Sequence, residues 1–434
     1  MKTLQDWLQF IESQHPQSIA LGLERVAQVF GNLGISLGCP VITVGGTNGK
    51  GSTCAMLEAI LGAAGYRTGL YTSPHLLRYN ERVRIAGREA DDALLCEAFA
   101  AVEGARKGTP LTYFEFGTLA AFWTFAETKV DAAVLEVGLG GRLDAVNLVD
   151  ADCAVLTSVG IDHVDYLGPD RESIGREKAG IFRPGRPAVV AEPDPPLSVL
   201  GLEKELLLIN RDFGYQADAR QWTYWGPAGK RPGLAHPALR GEIQLRNASA
   251  AICALDSLRD RLPVAAQEVR RGLAEVELPG RFQVLPGRPQ VILDVAHNVQ
   301  AAKTLARNLG ASAFAPARRQ KSTISALPAR AARCSGVKPD VAATRTSAPR
   351  AIKSRTIRAC PNRAATWSGR SPSRSDAFTS APWSSRDCTS STLLSRTADQ
   401  RGVRWRASRF AAFEIAAEPI APEVSCRFVE LASG

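Results

Sequence analysis

The sequence predicts an α/β protein built on a mostly parallel sheet. Short apolar segments rich in Val and Ile alternate with amphipathic ones, and the stretch VITVGGTNGKGSTCAMLEAILGAAG, residues 41–65, reads as strand, glycine turn and helix. The polar residues that are hardest to explain by folding gather in loops after apolar strands, where α/β sheets collect ligands. Strands are expected over residues 41–44, 68–72, 132–137, 153–159, 188–191 and 291–295, and helices over 52–64, 91–105, 114–127, 171–179, 247–258 and 301–309. Residues 192–246 mix Pro, Gly and charge and are expected to carry a small hairpin layer. A boundary is expected near residues 278–282.

The junction after residue 44 has the chemistry of a phosphate cradle. Glycines let backbone N–H groups approach phosphate oxygens, a helix N-terminus adds its dipole, and Lys50 supplies a full positive charge. The pattern G-x-x-x-x-G-K-[ST] is missed twice, since Val44 stands at the first glycine, and Gly51 follows the lysine with Ser52 one place later. A structural turn is the competing reading.

At 434 residues and 45% hydrophobic content the chain is large enough for two or three domains with proper cores. The N-terminal MKTLQDWLQFIESQ lacks the apolar core of a signal peptide, and no run of about 18 apolar residues occurs, so a soluble, cytoplasmic protein with no membrane association is expected. The 9 cysteines contain no C-x-x-C pair, which argues against a zinc ribbon or a disulfide framework. The formal net charge of +10 is unevenly placed: residues 318–413 hold 17 Arg and 3 Lys against 4 Asp and no Glu, a local balance of +16, leaving −6 for the remainder. No Glu occurs between Glu277 and Glu414.

Three loops carry candidate chemistry: SPHLLRYNERVRI after residue 72, GLGGRLDAVN after residue 137 and GIDHVDYLG after residue 159. A triphosphate held by Lys50 needs a hard cation, and Mg2+ prefers oxygen ligands with few protein contacts. Ser73, Glu136 and Ser52 are of the right type. His163 is either a further ligand or a structural hydrogen-bonding residue.

Together, GGTNGKGST, LYTSPHL, LEVGLGGRLDAVN, SVGIDHVDYLG, REKAGIFRPG, LPGRFQ and ILDVAHN resemble the bifunctional dihydrofolate synthase/folylpolyglutamate synthase family, relatives of the Mur ligases, over residues 1 to about 310. The resemblance implies a Mur-ligase-like P-loop ATPase domain at 1–280, and then a smaller Rossmann-like α/β glutamate-ligase domain that starts at 281–310 and is incomplete. It implies ATP-dependent addition of L-glutamate to dihydropteroate and to tetrahydrofolate (poly)glutamates, through an acyl phosphate that glutamate nitrogen attacks. Thr47, Asn48, Gly49, Lys50, Gly51 and Ser52 would hold ATP, with Asn247, Arg281 and Asp294. Ser73, Glu136 and His163 would bind Mg2+. Lys178 matches a lysine that the family carbamylates to serve a second metal, so Lys50, Lys178 and His297, at the domain junction, are the catalytic candidates. On composition alone Lys178 reads as a surface lysine in an ion pair, Asn247 as a helix N-cap and Arg281 as a loop charge.

Thr112, Tyr113, Phe114 and Glu115 offer aromatic faces for a flat ring and a carboxylate for its amino-pyrimidine edge, and Leu143, Asp144 and Ala145 match a second pterin-contacting stretch. A core helix face is the competing reading of the aromatics. A monomer with no nucleic-acid partner is expected. The alternatives are a Mur-type amino-acid ligase, a nucleotide-binding protein without catalysis, and an enzyme with a basic nucleic-acid-binding tail. Residues 311–434 have no sustained period and read as the product of a GC-rich gene translated out of frame, expected to be disordered. The departure from the family begins at Val299, where proline is usual.

Overall fold

The computed structural model describes residues 2–15, 19–202, 205–285, 291–314, 410–417 and 424–431. The sequence reading of 311–434 as aberrant therefore falls mostly outside the described residues. Two helices missing from the sequence expectation come first. Helix α1 (Leu4–Glu12) is opened by a reciprocal cap between Thr3 and Asp6, and α2 (Glu24–Leu33) ends on Gly34 at φ 64°, a left-handed position suited to glycine. Strand β1 (Val41–Gly45) and helix α3 (Lys50–Ala63) follow, the helix starting two residues earlier than expected.

Next are β2 (Thr68–Tyr71), the short strands β3 (Val83–Ile85) and β4 (Arg88–Glu89), helices α4 (Asp92–Arg106) and α5 (Tyr113–Thr128), and β5 (Ala132–Glu136). The chain continues through β6 (Cys153–Leu156), α6 (Val164–Leu167), α7 (Arg171–Ala179), β7 (Ala188–Val190), α8 (Leu197–Leu200) and β8 (Leu206–Leu208). The eight strands form one sheet in the order β4-β3-β2-β5-β1-β6-β7-β8. Pairing is parallel from β2 through β8 and antiparallel only at β2–β3 and β3–β4. The expected mostly parallel α/β sheet is therefore present.

Where a hairpin layer was expected, the structure has a three-stranded antiparallel sheet: β9 (Gly214–Ala217), β10 (Trp222–Gly226) and β11 (Gly229–Leu234). Then come α9 (Ile243–Ser257), α10 (Ala266–Glu275), the antiparallel pair β12 (Gln283–Leu285) and β13 (Val291–Leu293), and α11 (Val299–Phe314). A second antiparallel pair joins β14 (Phe410–Ala417) to β15 (Val424–Leu431), starting close to where Glu returns to the sequence.

Alternation along the strands sorts the core into two layers. Val41, Ala133 and Leu135 pack with α1, α2, α4 and α5 on one face, whereas Ile42, Val44 and Val134 pack with α3, α9, α10 and the small sheet on the other. Helix α3 is buried on nearly all sides because it lies between the main sheet and α9 and α10, which explains its lack of a polar stripe. A Cβ on Gly272 would sit 2.5 Å from the Cα of Ile60, so α10 crosses α3 at backbone contact.

One polar group in this second layer is critical. Asp256 accepts two bonds from Arg231, at 2.6 and 2.9 Å, and a third from the Tyr224 hydroxyl at 3.0 Å, with only 3% of its side chain exposed. Asp256→Ala leaves a largely buried guanidinium without its partner, and a loss of about 3–5 kcal/mol of stability is expected, read as a fall in the urea midpoint. An unchanged midpoint would show that the pair contributes nothing.

Candidate active site

Strand β1 lies at the middle of the sheet between β5 and β6, so the loops after these three strands meet at one edge. The loop after β1 is fixed by the loop after β6. Thr47 N–H donates to the Ser158 carbonyl at 2.9 Å, Asn48 N–H to Ser158 Oγ at 2.9 Å, and Thr157 Oγ1 to the Asn48 carbonyl at 2.7 Å. Gly46, at φ 145°, leaves no room for a side chain, since a Cβ there would lie 2.0 Å from Thr157 Oγ1. Gly49 precedes α3 at φ 91°, and its missing Cβ is replaced by Asn247 Oδ1, 2.8 Å from where it would be. The N–H groups of the first turn of α3 are thus aimed at the mouth of the loop, with Lys50 Nζ bonded to the Gly46 carbonyl at 3.0 Å. Gly51 and Ser52 are buried in that turn.

Glu136 ends β5 beside this turn, 3.8 Å from the position of a Cβ on Gly51. Its Oε2 accepts the Ser73 N–H at 3.2 Å, which brings together two of the three expected metal ligands. Burial raises its pKa, opposed by Lys50, Ser73, Arg281 and Arg82. A buried carboxylate and a serine present hard oxygen donors, which suits a Mg2+-like cation. His163 stands at φ 51° before α6, its Nε2 3.9 Å from Asp162. Among the described residues no three His, Cys, Asp or Glu side chains converge to hold a metal by themselves. Such a donor set suits a cation that arrives with phosphate and water as its other ligands.

Lys178 is not a surface lysine. It lies buried in the last turn of α7, and burial, then the charge of Lys50, lower its pKa to about 7 against the pull of Asp162 and Asp144. The glycines of GLGGR bring α7 in, because a Cβ on Gly141 would meet the Lys178 and Glu177 carbonyl oxygens at 2.8 and 2.9 Å. Asp144 is buried, with its carboxylate accepting the Leu139 and Val146 N–H groups at 2.9 and 3.0 Å, yet burial holds its pKa up at about 6.

Phe114 comes close to both loops. A Cβ on Gly138 would be 2.7 Å from the Phe114 ring and 3.3 Å from Asp144 Oδ2, and Phe114 and Tyr71 ring centroids are 5.9 Å apart. Thr112 caps α5, and Glu115 is engaged by the protein itself: Oε2 accepts the Thr112 N–H at 2.8 Å and Oε1 pairs with Arg25 at 2.7 Å. Tyr113 packs on Tyr79 at 5.9 Å, while Leu143 is half-buried and Ala145 buried beside Asp144.

Asn247 is not a helix cap as residue type alone suggested, because α9 opens at Ile243 and places Asn247 inside it, donating to Gln244 at 2.9 Å. Arg281 reaches the vicinity of Gly51, 3.8 Å from a Cβ there. Asp294 accepts the Phe282 and Ala296 N–H groups at 2.9 and 2.8 Å. His297 bonds the Val295 carbonyl of its own loop at 2.9 Å and is exposed.

Several participants were not singled out from the sequence: Thr157 and Ser158, Asp162, and Asn298. Asn298 donates to Asn48 Oδ1 at 3.0 Å and to Asp162 Oδ2 at 3.2 Å, while Gln300 Oε1 accepts from Asn48 at 3.1 Å. The usable signal was position, since Thr157, Ser158 and Asp162 follow the strand that neighbours the phosphate loop.

A phosphate cradle with a lysine, a buried oxygen-donor carboxylate and a second, depressed-pKa lysine defines a P-loop nucleotide-using enzyme core. The comparisons agree. The Mur ligase middle domain family matches residues 44–255. The dihydrofolate synthase/folylpolyglutamate synthase of Escherichia coli (strain K12) is 48% identical over 307 residues, 70% of this chain and 71% of the relative. Among solved structures, E. coli FolC in complex with DHPP and ADP has a TM-score of 0.69 at 46% identity, covering 74% of this chain and 76% of that one. A bifunctional folylpolyglutamate synthase/dihydrofolate synthase with Mn, AMPPNP and L-glutamate bound has a TM-score of 0.66 at 47% identity, covering 72% and 75%. This chain belongs to the dihydrofolate synthase/folylpolyglutamate synthase family of ATP-dependent ligases.

Proposed function

We propose that the chain joins L-glutamate to dihydropteroate and to tetrahydrofolate (poly)glutamates. The observation that carries this reading is the meeting of Phe114 and Asp144, a flat apolar face beside a buried carboxylate, at Gly138, two residues after Glu136 and within the electrostatic reach of Lys50. The aminopyrimidine edge of a pterin is a hydrogen-bond donor, and Asp144, beside the Phe114 ring, is the acceptor for it; each of its oxygens keeps a lone pair beyond the Leu139 and Val146 N–H groups it already accepts.

A carboxylate does not condense with an amine at neutral pH. The substrate carboxylate oxygen therefore takes the γ-phosphoryl group of ATP, releasing ADP. The glutamate nitrogen attacks the acyl carbon, phosphate leaves with the C–O bonding pair, and the nitrogen loses a proton to give the amide. Thr47, Asn48, Gly49, Gly51 and Ser52 present the loop and helix N–H groups to the phosphates, and Lys50 offsets repulsion between ATP and the carboxylate. Asn247, Arg281 and Asp294 line the nucleotide side, with His297 at the start of the following region. Ser73, Glu136 and His163 would hold Mg2+, which supplies charge neutralisation across the phosphates when bound. Lys178 takes up carbon dioxide as the neutral amine and releases a proton, becoming a carbamate that serves a second cation.

ADP formation is the test. It is expected with dihydropteroate and L-glutamate together and at background rate when either is omitted; equal turnover with other amino acids and none with glutamate would sink the reading. The segment after residue 311, without Glu as far as Glu414, carries a separate proposal, that it is read out of frame. Sequencing the gene is expected to show that a frame shift near codon 311 restores alternating strand and helix patterns with ordinary Glu content. Absence of such a frame removes the proposal.

A further inference from the structure

Three arginines lie within seven residues, in the stretch from the loop after β2 into β3, and they are not equivalent. Arg78 is near Glu89 and Asp92, at 3.9 and 3.6 Å, and Arg84 pairs with Glu58 at 3.1 Å. Arg82 has no carboxylate ion-pair partner among the described residues, yet it is held at both its backbone and its side chain. Its carbonyl accepts the Thr72 N–H at 2.9 Å, fixing its backbone to the end of β2. Its Nε donates to His75 Nδ1 at 2.8 Å, and its guanidinium carbon lies 5.5 Å from the Tyr79 ring centre and 5.4 Å from that of Tyr113.

With Nε taken by a histidine and the plane packed over two rings, the Nη edge is what remains to be used. Thr72, to which the Arg82 backbone is bonded, is followed by Ser73 on Glu136, and Tyr113, on which the guanidinium packs, is followed by Phe114, whose ring lies 5.9 Å from that of Tyr71; Arg82 is thus tied both to the strand end that carries the cation candidates and to the helix start that carries the Phe114 ring. A preoriented guanidinium edge matches a carboxylate in a two-bond fork, a geometry that lysine cannot supply. In dihydropteroate the one carboxylate is the reacting group, at the opposite end from the flat ring. A ring on Phe114 and Asp144 directs that carboxylate past Tyr71 toward Lys50 and Glu136.

We propose that Arg82 binds the reacting carboxylate of the pteroate or folate substrate and aims it at the γ-phosphate, with His75 as the positioning residue that sets the guanidinium. The proposal rests on the glutamate-ligase reading given above. It assigns Arg82 to the substrate and not to the nucleotide.

The test compares the Kd of dihydropteroate with that of the same molecule lacking its carboxylate, in the full chain with ADP present. Wild type is expected to prefer the carboxylate by roughly 10- to 100-fold, and Arg82→Ala to bind both ligands alike, with the Kd of AMPPNP unchanged. Arg82→Lys, which keeps the charge and loses the fork, is expected to recover only part of the preference. His75→Ala is expected to weaken dihydropteroate binding while leaving the decarboxylated analogue unaffected, an outcome that a general packing defect would not produce. Should Arg82→Ala fail to fold, Arg82→Gln keeps the stacking over Tyr79 and Tyr113 and carries the same comparison. Equal discrimination by wild type and the Arg82 variants overturns the proposal alone. Failure of wild type to bind either pterin while it binds AMPPNP overturns the glutamate-ligase reading and this proposal with it.

Discussion

Lys50→Ala is expected to lower glutamate-dependent ADP formation by at least about 10³-fold, close to the background rate. The magnitude follows from where the lysine stands. Lys50 opens α3 directly after the left-handed Gly49, and its ammonium is tied to the Gly46 carbonyl at 3.0 Å, so it sits across the loop that N–H groups line. Phosphoryl transfer to a carboxylate brings two anions together, and a full positive charge in a partly enclosed site offsets that repulsion far better than water does. After burial, repulsion from Lys50 is what lowers the pKa of Lys178, so removing it relieves that repulsion and should not unfold the chain. The measurement is a coupled ADP assay beside a thermal melt. Retained activity at more than about a tenth of wild type would remove the phosphate loop from the mechanism.

The second large effect is expected at Lys178. Carbon dioxide reacts with neutral amines only, and an ordinary lysine near pH 10.5 is almost wholly protonated under neutral conditions. Burial and the charge of Lys50 bring Lys178 to about 7, which makes the reactive form abundant. Enzyme stripped of carbon dioxide in acid is expected to regain activity on adding bicarbonate, at a rate that rises with pH through about 7, and Lys178→Ala is expected to lose activity by about 10²-fold or more. The sign of the stability effect can be checked independently. In carbon-dioxide-free buffer the folded chain gives up this proton at about pH 7 while the unfolded chain keeps it to about 10.5. The penalty of burying the amine is therefore complete below about 7 and fades as pH rises through that window. Lys178→Met is expected to melt higher than wild type at pH 6, with the gap closing toward pH 10. A gap that stays constant, with bicarbonate-independent activity, would mean that Lys178 stays an ordinary cation.

What was legible in the sequence was what local chemistry dictates. The phosphate loop could be read because the glycines and Lys50 act through the backbone on either side of them, and the strands of the parallel sheet because burial on both faces demands continuous Val, Ile, Leu and Ala. Asn247 could be singled out by resemblance, but its place inside α9 depends on a helix start at Ile243 whose N-cap, Glu242, makes no capping bond. Helix α1 did carry a signal, the Thr3–Asp6 cap, in a segment weighed only as a possible leader. Arg82 was passed over because nothing in ERVR separates it from its neighbours; the distinction exists only once Glu58, Glu89 and Asp92 are seen to engage the others. The engagement of Glu115 by Arg25 is likewise a contact across 90 positions in sequence.

The amide of Asn298 bonds the phosphate-loop residue Asn48 and the β6-loop residue Asp162, while its Oδ1 accepts the Ala301 N–H at 2.9 Å inside the first turn of α11. The loop proposed to hold the nucleotide and the helix that begins the following region therefore share one set of hydrogen bonds. A nucleotide that draws Asn48 away from Asn298 and Gln300 alters the footing of α11, and thermodynamic reciprocity requires any change that moves α11 to alter nucleotide affinity by the same factor. Couplings of this kind amount to about 1–3 kcal/mol, enough for a shift of α11 to be felt at the phosphates.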